Sequence, residues 1–133
     1  MIAAGCLVQW YEIDMFEEYL DSLIKSIGEQ KNKVKIDMCL VTNQDLEKVS
    51  DEVDMLTYIM EKYVRVCNQY KLKGYDITYS TKDDLYTIAD YRRDFNEKYC
   101  ELTDVLMWGE SDSLIPRQTW YILDKLHDSV KEK

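Results

Sequence analysis

The stretch Asp104-Val-Leu-Met-Trp-Gly-Glu-Ser-Asp-Ser-Leu-Ile-Pro116 decides how this chain is read. Val105 to Trp108 form a short apolar run of the kind that a parallel sheet covers on both faces. The run stops at Glu110-Ser111-Asp112 and gives way to a helical pattern. Carboxylates are expensive beside a buried strand, and an open α/β sheet has its ligand crevice at the carboxyl ends of its strands. With one serine between them and the chain turning, Glu110 and Asp112 can reach one hard divalent cation whose shell is completed by phosphate oxygens. The same residues also suit a plainer role, ending the strand and capping the helix that begins near Ile115.

The chain before this stretch alternates between two periods. Residues 2 to 10, Ile-Ala-Ala-Gly-Cys-Leu-Val-Gln-Trp, are a compact apolar run and predict a buried strand. From Asp14 the period becomes helical: Phe16, Leu20, Leu23 and Ile27 share a face, Glu17, Glu18, Asp21 and Lys25 lie opposite, and Gly28 ends the helix. Val34 to Val41 is a second strand that stops at the polar loop Thr42-Asn43-Gln44-Asp45. A long helix from Asp45 or Ser50 to Lys71 follows from Val49, Val53, Leu56, Met60, Tyr63, Cys67 and Tyr70 at steps of four and three.

Gly74 breaks the chain before a short third strand, Tyr75 to Tyr79. Residues 83 to 101 predict a helix with Leu85, Ile88, Ala89, Phe95 and Tyr99 on one side, and the strand at 104 to 109 comes next. A last helix runs from Pro116, a residue suited to a first turn, to Val130. Four strands alternating with four helices argue for an α/β fold, an open parallel sheet between helical layers. Right-handed crossovers then bring the strand ends, 10 to 12, 42 to 45, 79 to 81 and 109 to 112, to one edge.

Composition narrows the function classes. A length of 133 residues fits one domain with a core, and 46% hydrophobic with 32% charged residues is ordinary for a globular chain. The formal charge of -9 and pI near 4.6 leave no basic stretch to bind a nucleic-acid backbone, although one local arginine or a metal ion can still reverse the field inside a cleft. No segment reaches the roughly eighteen apolar residues of a membrane span, and the amino terminus lacks the basic flank of a signal peptide, which predicts a cytoplasmic protein. Cys6, Cys39, Cys67 and Cys100 each sit in an apolar pattern without metal-ligand spacing and read as reduced core thiols. His127, the single histidine, falls in a charged helix where a solvated side chain is expected, which argues against histidine catalysis.

The order of these pieces resembles the donor-binding half of the family 2-like glycosyltransferases, which have the GT-A fold. The family's first strand ends in a Tyr-Asn-Glu-like turn before a helix; Leu7-Val-Gln-Trp-Tyr-Glu12 and Tyr19-Leu-Asp-Ser-Leu-Ile24 look like that pair. Its second strand ends in a polar loop at the nucleotide, similar to Met38-Cys-Leu-Val-Thr-Asn-Gln-Asp45, though without the usual acidic pair and glycine. A helix with Arg and Asn precedes the metal strand, as in Tyr91-Arg-Arg-Asp-Phe-Asn96. The family's Asp-x-Asp stands here as Glu110-Ser111-Asp112, with Glu in the first place.

The resemblance implies a glycosyltransferase, or its donor-binding portion, acting on a nucleotide-diphosphate sugar. It implies that Glu110 and Asp112 hold Mn²⁺ or Mg²⁺ against the diphosphate, and that Tyr11, Glu12 and Asn43 lie beside the base or ribose. Arg93 would meet a phosphate or pair with a helix-surface acid. In the family the acceptor site and the general base come later in the chain, so neither the acceptor nor a catalytic base is assigned. The alternative is a catalytically silent binding or assembly module of the same fold, whose exposed apolar edge, with Trp108, Trp120 and Tyr121, would favour a homo-oligomer.

Overall fold

In a computed structural model of the protein, residues 1–43, 55–111, 114–116 and 118–131 are described. Strand β1 (Ile2–Gln9) leads through a single 3-10 turn at Trp10–Glu12 into helix α1 (Ile13–Ile27). Strand β2 (Val34–Val41), helix α2 (Met55–Leu72), strand β3 (Asp76–Lys82), helix α3 (Ile88–Tyr99), strand β4 (Val105–Glu110) and helix α4 (Thr119–Lys131) follow. The strands form one sheet in the order β3-β2-β1-β4, and every pairing is parallel. The expected α/β architecture is therefore present.

Strand order and helix side are linked by handedness. From β1 the chain steps outward to β2 and then β3, so right-handed crossovers put α1 and α2 on the same face. It then returns to pair β4 on the other side of β1, which sends α3 across the opposite face. The core divides accordingly. Ala4, Cys6, Val8, Ile36, Met38 and Leu40 pack with Phe16, Leu20, Leu23, Ile59, Tyr63 and Cys67 on the α1–α2 face. Ala3, Leu7, Cys39 and Val41 pack with Tyr91, Phe95 and Tyr99 beneath α3. Helix α4 lies against α1 and β4.

Helix α1 ends at Gly28, whose φ of 60° few side chains tolerate and whose N–H donates to the Ile24 carbonyl at 2.9 Å. Helix α3 starts later than its pattern suggests. The Asp83 side chain captures the Leu85 N–H at 3.1 Å, a turn that leaves Leu85 81% exposed. Thr87 and Asp90 then form a reciprocal capping box, with bonds of 3.1 and 3.0 Å. The buried face of α3 is thus Tyr91-Phe95-Tyr99, and Ile88 and Ala89 are exposed.

Other expectations are corrected by position in the sheet. Strand β4 is an edge, so Leu106 and Met107 are half-buried and Trp108 is 43% exposed, whereas burial on both faces was expected. Strand β3 runs on to Lys82 because an edge strand tolerates Ser80, Thr81 and Lys82. Helix α4 begins at Thr119, and Pro116 precedes it, its carbonyl accepting from the Thr119 N–H at 3.0 Å. Cys6, Cys39 and Cys67 are buried, reduced cysteines, but Cys100, just past α3, is exposed. His127 is not solvated: its ring is 12% exposed and its Nε2 lies 2.8 Å from Asp104 Oδ2. Residues Asp45, Val49, Ser50, Val53 and Asp112, and the side chain of Trp120, lie outside the described residues.

Candidate functional site

All four strands end at the same edge. Helix connections leave β1 toward β2 on one side, while β4 pairs on the other, so the chain reverses direction between β1 and β4. Such a reversal opens a crevice at the carboxyl end of the sheet. A cleft of about 290 Å³ lies there, lined by Leu7 of β1, Trp108, Gly109 and Glu110 of β4, Ile88, Tyr91 and Arg92 of α3, and Ile115. It is mostly apolar in its walls, with one carboxylate and one guanidinium.

Glu110 closes the β1–β4 ladder opposite Leu7 and is exposed. Among the described residues its carboxylate has no hydrogen bond or ion pair, so its oxygens are available as hard ligands. No group of three or more His, Cys, Asp or Glu side chains suited to a metal occurs among the described residues. A cation at this edge would therefore need oxygens from its ligand as well as from the protein.

Arg92 projects from the second turn of α3 with its guanidinium 5.6 Å from the Trp108 ring centre. Stacking on an indole holds the arginine without consuming its N–H donors. Trp108 is backed by Phe95 at 6.2 Å. Arg93, the arginine favoured by sequence, points to solvent and pairs with Asp90 at 3.4 Å and Asp94 at 3.5 Å, the helix-surface alternative. The phase of Tyr91-Phe95-Tyr99 was the signal for Arg92, since the residue after Tyr91 flanks β4.

The remaining expected residues stand at the same sheet edge. Tyr11, 65% exposed, sits on the turn after β1 with its ring edge-on to Trp10 at 5.3 Å. Glu12 is half-buried, and its Oε1 accepts from the Gln9 N–H at 3.2 Å, which commits one oxygen to capping the turn. Asn43 is half-buried just beyond β2, next to Thr42, whose N–H is fixed to the Lys82 carbonyl at 2.9 Å. Tyr11, Glu12 and Asn43 are not among the residues lining the β1–β4 cleft.

Two features hold the site's walls. Asp37, buried in the middle of β2, accepts from Tyr91 OH at 2.9 Å and Tyr99 OH at 2.7 Å, with Lys98 Nζ at 3.5 Å. Burial first, and the neighbouring Asp37 carboxylate next, push both phenols above their ordinary range. The α3 layer sits so low that a Cβ at Gly5 would collide with Tyr91 and Phe95. On the other face Tyr19 and Ser22 of α1 approach β4 and the segment after it: Ser22 Oγ accepts from the Ile115 N–H at 2.8 Å.

No protein-family model and no curated protein matches the sequence. Among solved structures, the chain is similar to residues 1–349 of TarS from S. aureus, a glycosyltransferase, with a TM-score of 0.57 and 17% identity. The likeness covers 97% of this chain and 33% of that one, so the chain spans a third of the matched structure. At this identity the likeness concerns the fold alone, a four-stranded parallel sheet with flanking helices that is similar to part of that structure.

Proposed function

We propose that this chain is the donor-binding portion of a glycosyltransferase that takes a nucleotide-diphosphate sugar with a divalent cation. The observation that carries the reading is the pairing, at the β1–β4 reversal, of a Glu110 carboxylate without a bond among the described residues and the Arg92 guanidinium in one cleft. A diphosphate is the ligand that uses both: its oxygens accept from arginine and share a cation with a carboxylate. The fold likeness supports the same class.

On this reading Glu110, together with Asp112, which lies outside the described residues, would hold Mn²⁺ or Mg²⁺, the hard ions that suit carboxylate and phosphate oxygen. The ion would supply Lewis acidity for the charge that grows on the leaving diphosphate. Arg92 would bind the diphosphate from the α3 side, a role the sequence had offered to Arg93. Trp108 keeps the guanidinium in place, and the exposed Tyr11 ring with the Asn43 amide would meet the base or ribose at the outer edge. No residue is given the part of general base, because no acceptor position is defined to aim one at.

The second reading is a silent assembly module, and one observation favours it. Ile122, Leu126 and Val130 recur every four residues on α4 and are 63%, 48% and 43% exposed, an apolar stripe on a helix that packs against the edge strand β4. Titration calorimetry with the four common nucleoside diphosphates and Mn²⁺ separates the two. The donor reading expects metal-dependent binding of one of them, weakened about tenfold or more in Arg92→Ala and unchanged in Arg93→Ala. Equal losses in both arginine variants would remove Arg92 from the site, and no binding at all would favour assembly.

A further inference from the structure

The amino ends of β1 and β4 meet at the end of the sheet away from the cleft, and α4 returns to the same place. The β1–β4 ladder begins at Ile2 and Val105, and the Asp104 N–H extends it by donating to the Met1 carbonyl at 2.9 Å. That bond sets the α-amino group of Met1 beside the Asp104 side chain, with 3.0 Å between the nitrogen and Oδ2. His127 of α4 completes the group: its Nε2 lies 2.8 Å from the same Oδ2 and 3.0 Å from the Met1 nitrogen. One turn earlier on α4, Asp124 pairs with Lys33 at 3.9 Å and steadies the helix at this end.

Protons do not satisfy all three contacts at once. A neutral imidazole presents Nε2 either as a lone pair or as one N–H, and an imidazolium presents it only as N–H. As a lone pair, Nε2 accepts from the ammonium but meets the carboxylate oxygen acceptor to acceptor. As an N–H, it donates to Asp104 but meets the ammonium donor to donor, and with a neutral amine its single hydrogen is shared between two acceptors. A metal ion removes the conflict, because the deprotonated amine, the neutral imidazole and the carboxylate then turn lone pairs toward one centre. The spacing also fits, since atoms 2.8 to 3.0 Å apart can each stand about 2.1 Å from one ion, with angles of about 90° at the metal. A tetrahedral ion spreads its ligands wider than this, so the triangle suits octahedral or tetragonal coordination.

The geometry points to a divalent transition-metal site formed by the Met1 amine, His127 Nε2 and Asp104 Oδ2, a facial set of two nitrogens and one oxygen whose other positions are open to water. Nitrogen ligands at these angles select Ni²⁺ or Cu²⁺ over Ca²⁺ and Mg²⁺, which take oxygen. The Met1 amine and Asp104 are exposed enough for an ion to arrive from solvent, while the His127 ring is held at 12% exposure. The site is independent of the cleft and of the donor-binding reading. Its effect is on the fold: one ion ties the first residue of the chain to the residue ahead of β4 and to α4, across 103 and 126 positions of sequence. An ion held only by that folded arrangement stabilises it.

The test is titration calorimetry with Ni²⁺ on the whole chain, its Met1 amine free, at neutral pH and without nucleotide. Wild type should bind one ion, and the proton NMR signal of His127, the single histidine, should broaden as that ion binds. His127→Gln and Asp104→Asn should each bind about tenfold or more weakly, since a ligand is worth at least as much as the outer partners that orient it. A glycine added ahead of Met1 displaces the amine and should weaken binding in the same way, whereas Glu110→Ala, at the other end of the sheet, should bind Ni²⁺ as wild type does. Ni²⁺ should raise the thermal midpoint of wild type and leave that of the His127→Gln protein unmoved. No binding by wild type would overturn the site, as would an unchanged affinity in either side-chain variant or in the extended chain. Should one side-chain variant fail to fold, the other and the extended chain carry the comparison.

Discussion

The hydroxyl of Tyr19 stands where a side chain on Gly109 would be, and the two residues are complementary across the α1–β4 contact. Tyr19 is 1% exposed, and its hydroxyl has no hydrogen-bond partner among the described residues. Gly109→Ala should destabilise the protein by about 1–3 kcal/mol through overpacking. Tyr19→Phe removes both the obstructing oxygen and an unpaired buried hydroxyl, so it should be neutral or stabilising by about 1 kcal/mol. In the double variant the alanine should cost less than it does alone, a coupling that urea unfolding of all four proteins would measure. Additive effects would show that the two positions do not meet.

Asp37 ties α3 to the centre of the sheet through two phenols from the same helix. Asp37→Ala would take the carboxylate from the Tyr99 hydroxyl and Lys98, and leave the Tyr91 hydroxyl only the backbone carbonyl of residue 37 at 3.2 Å. The expected loss is about 2 kcal/mol, mainly from the buried Tyr99 donor left without its acceptor. Asp37→Asn retains one good acceptor oxygen and should fall between wild type and alanine. Equal stability of Asp37→Ala and wild type in urea would contradict the network.

Much of this fold is readable from local pattern, and the departures share a cause. Strand β2 has the bounds that its apolar run predicts, and Gly28 ends α1 as expected. Which strand lies at an edge is decided by pairing between distant segments, so the exposure of Trp108 cannot be read from Val105 to Trp108 alone. The start of α3 was legible in principle, because Thr87 and Asp90 have capping-box spacing, but the apolar residues Leu85 and Ile88 suggested an earlier start and a rotated face. The role of Asp37 depends on tyrosines 54 and 62 residues away, which no short window contains. Glu110 was legible as the end of a strand, and its place at the chain reversal needed the strand order.

Alkaline pH should unfold the protein through its buried phenols. Burial foremost, and then the Asp21 carboxylate, push Tyr70 up from 10.0 to about 12. Burial and the Asp94 carboxylate raise Tyr86, while burial and Asp37 raise Tyr91 and Tyr99. Each group holds its proton more tightly when folded, so its contribution to stability is complete below pH 10 and is lost as pH rises from 10 through the folded values. Urea midpoints should therefore decline above pH 10, and phenolate absorbance should gain a late step that coincides with loss of helical dichroism. A midpoint that stays level from pH 9 to 12 would contradict these assignments.

Thermal unfolding of the purified chain with a panel of nucleotide-diphosphate sugars, each with Mn²⁺ and with chelator, tests the central claim most directly. A ligand held only by the folded state raises the midpoint, by about 2.7 kcal/mol of stability at a hundredfold excess over its Kd. The account predicts a rise with one donor, present with Mn²⁺, absent with chelator, and lost in Glu110→Ala at unchanged unliganded stability. An unmoved midpoint with every donor, or a rise that survives both chelator and Glu110→Ala, would contradict it.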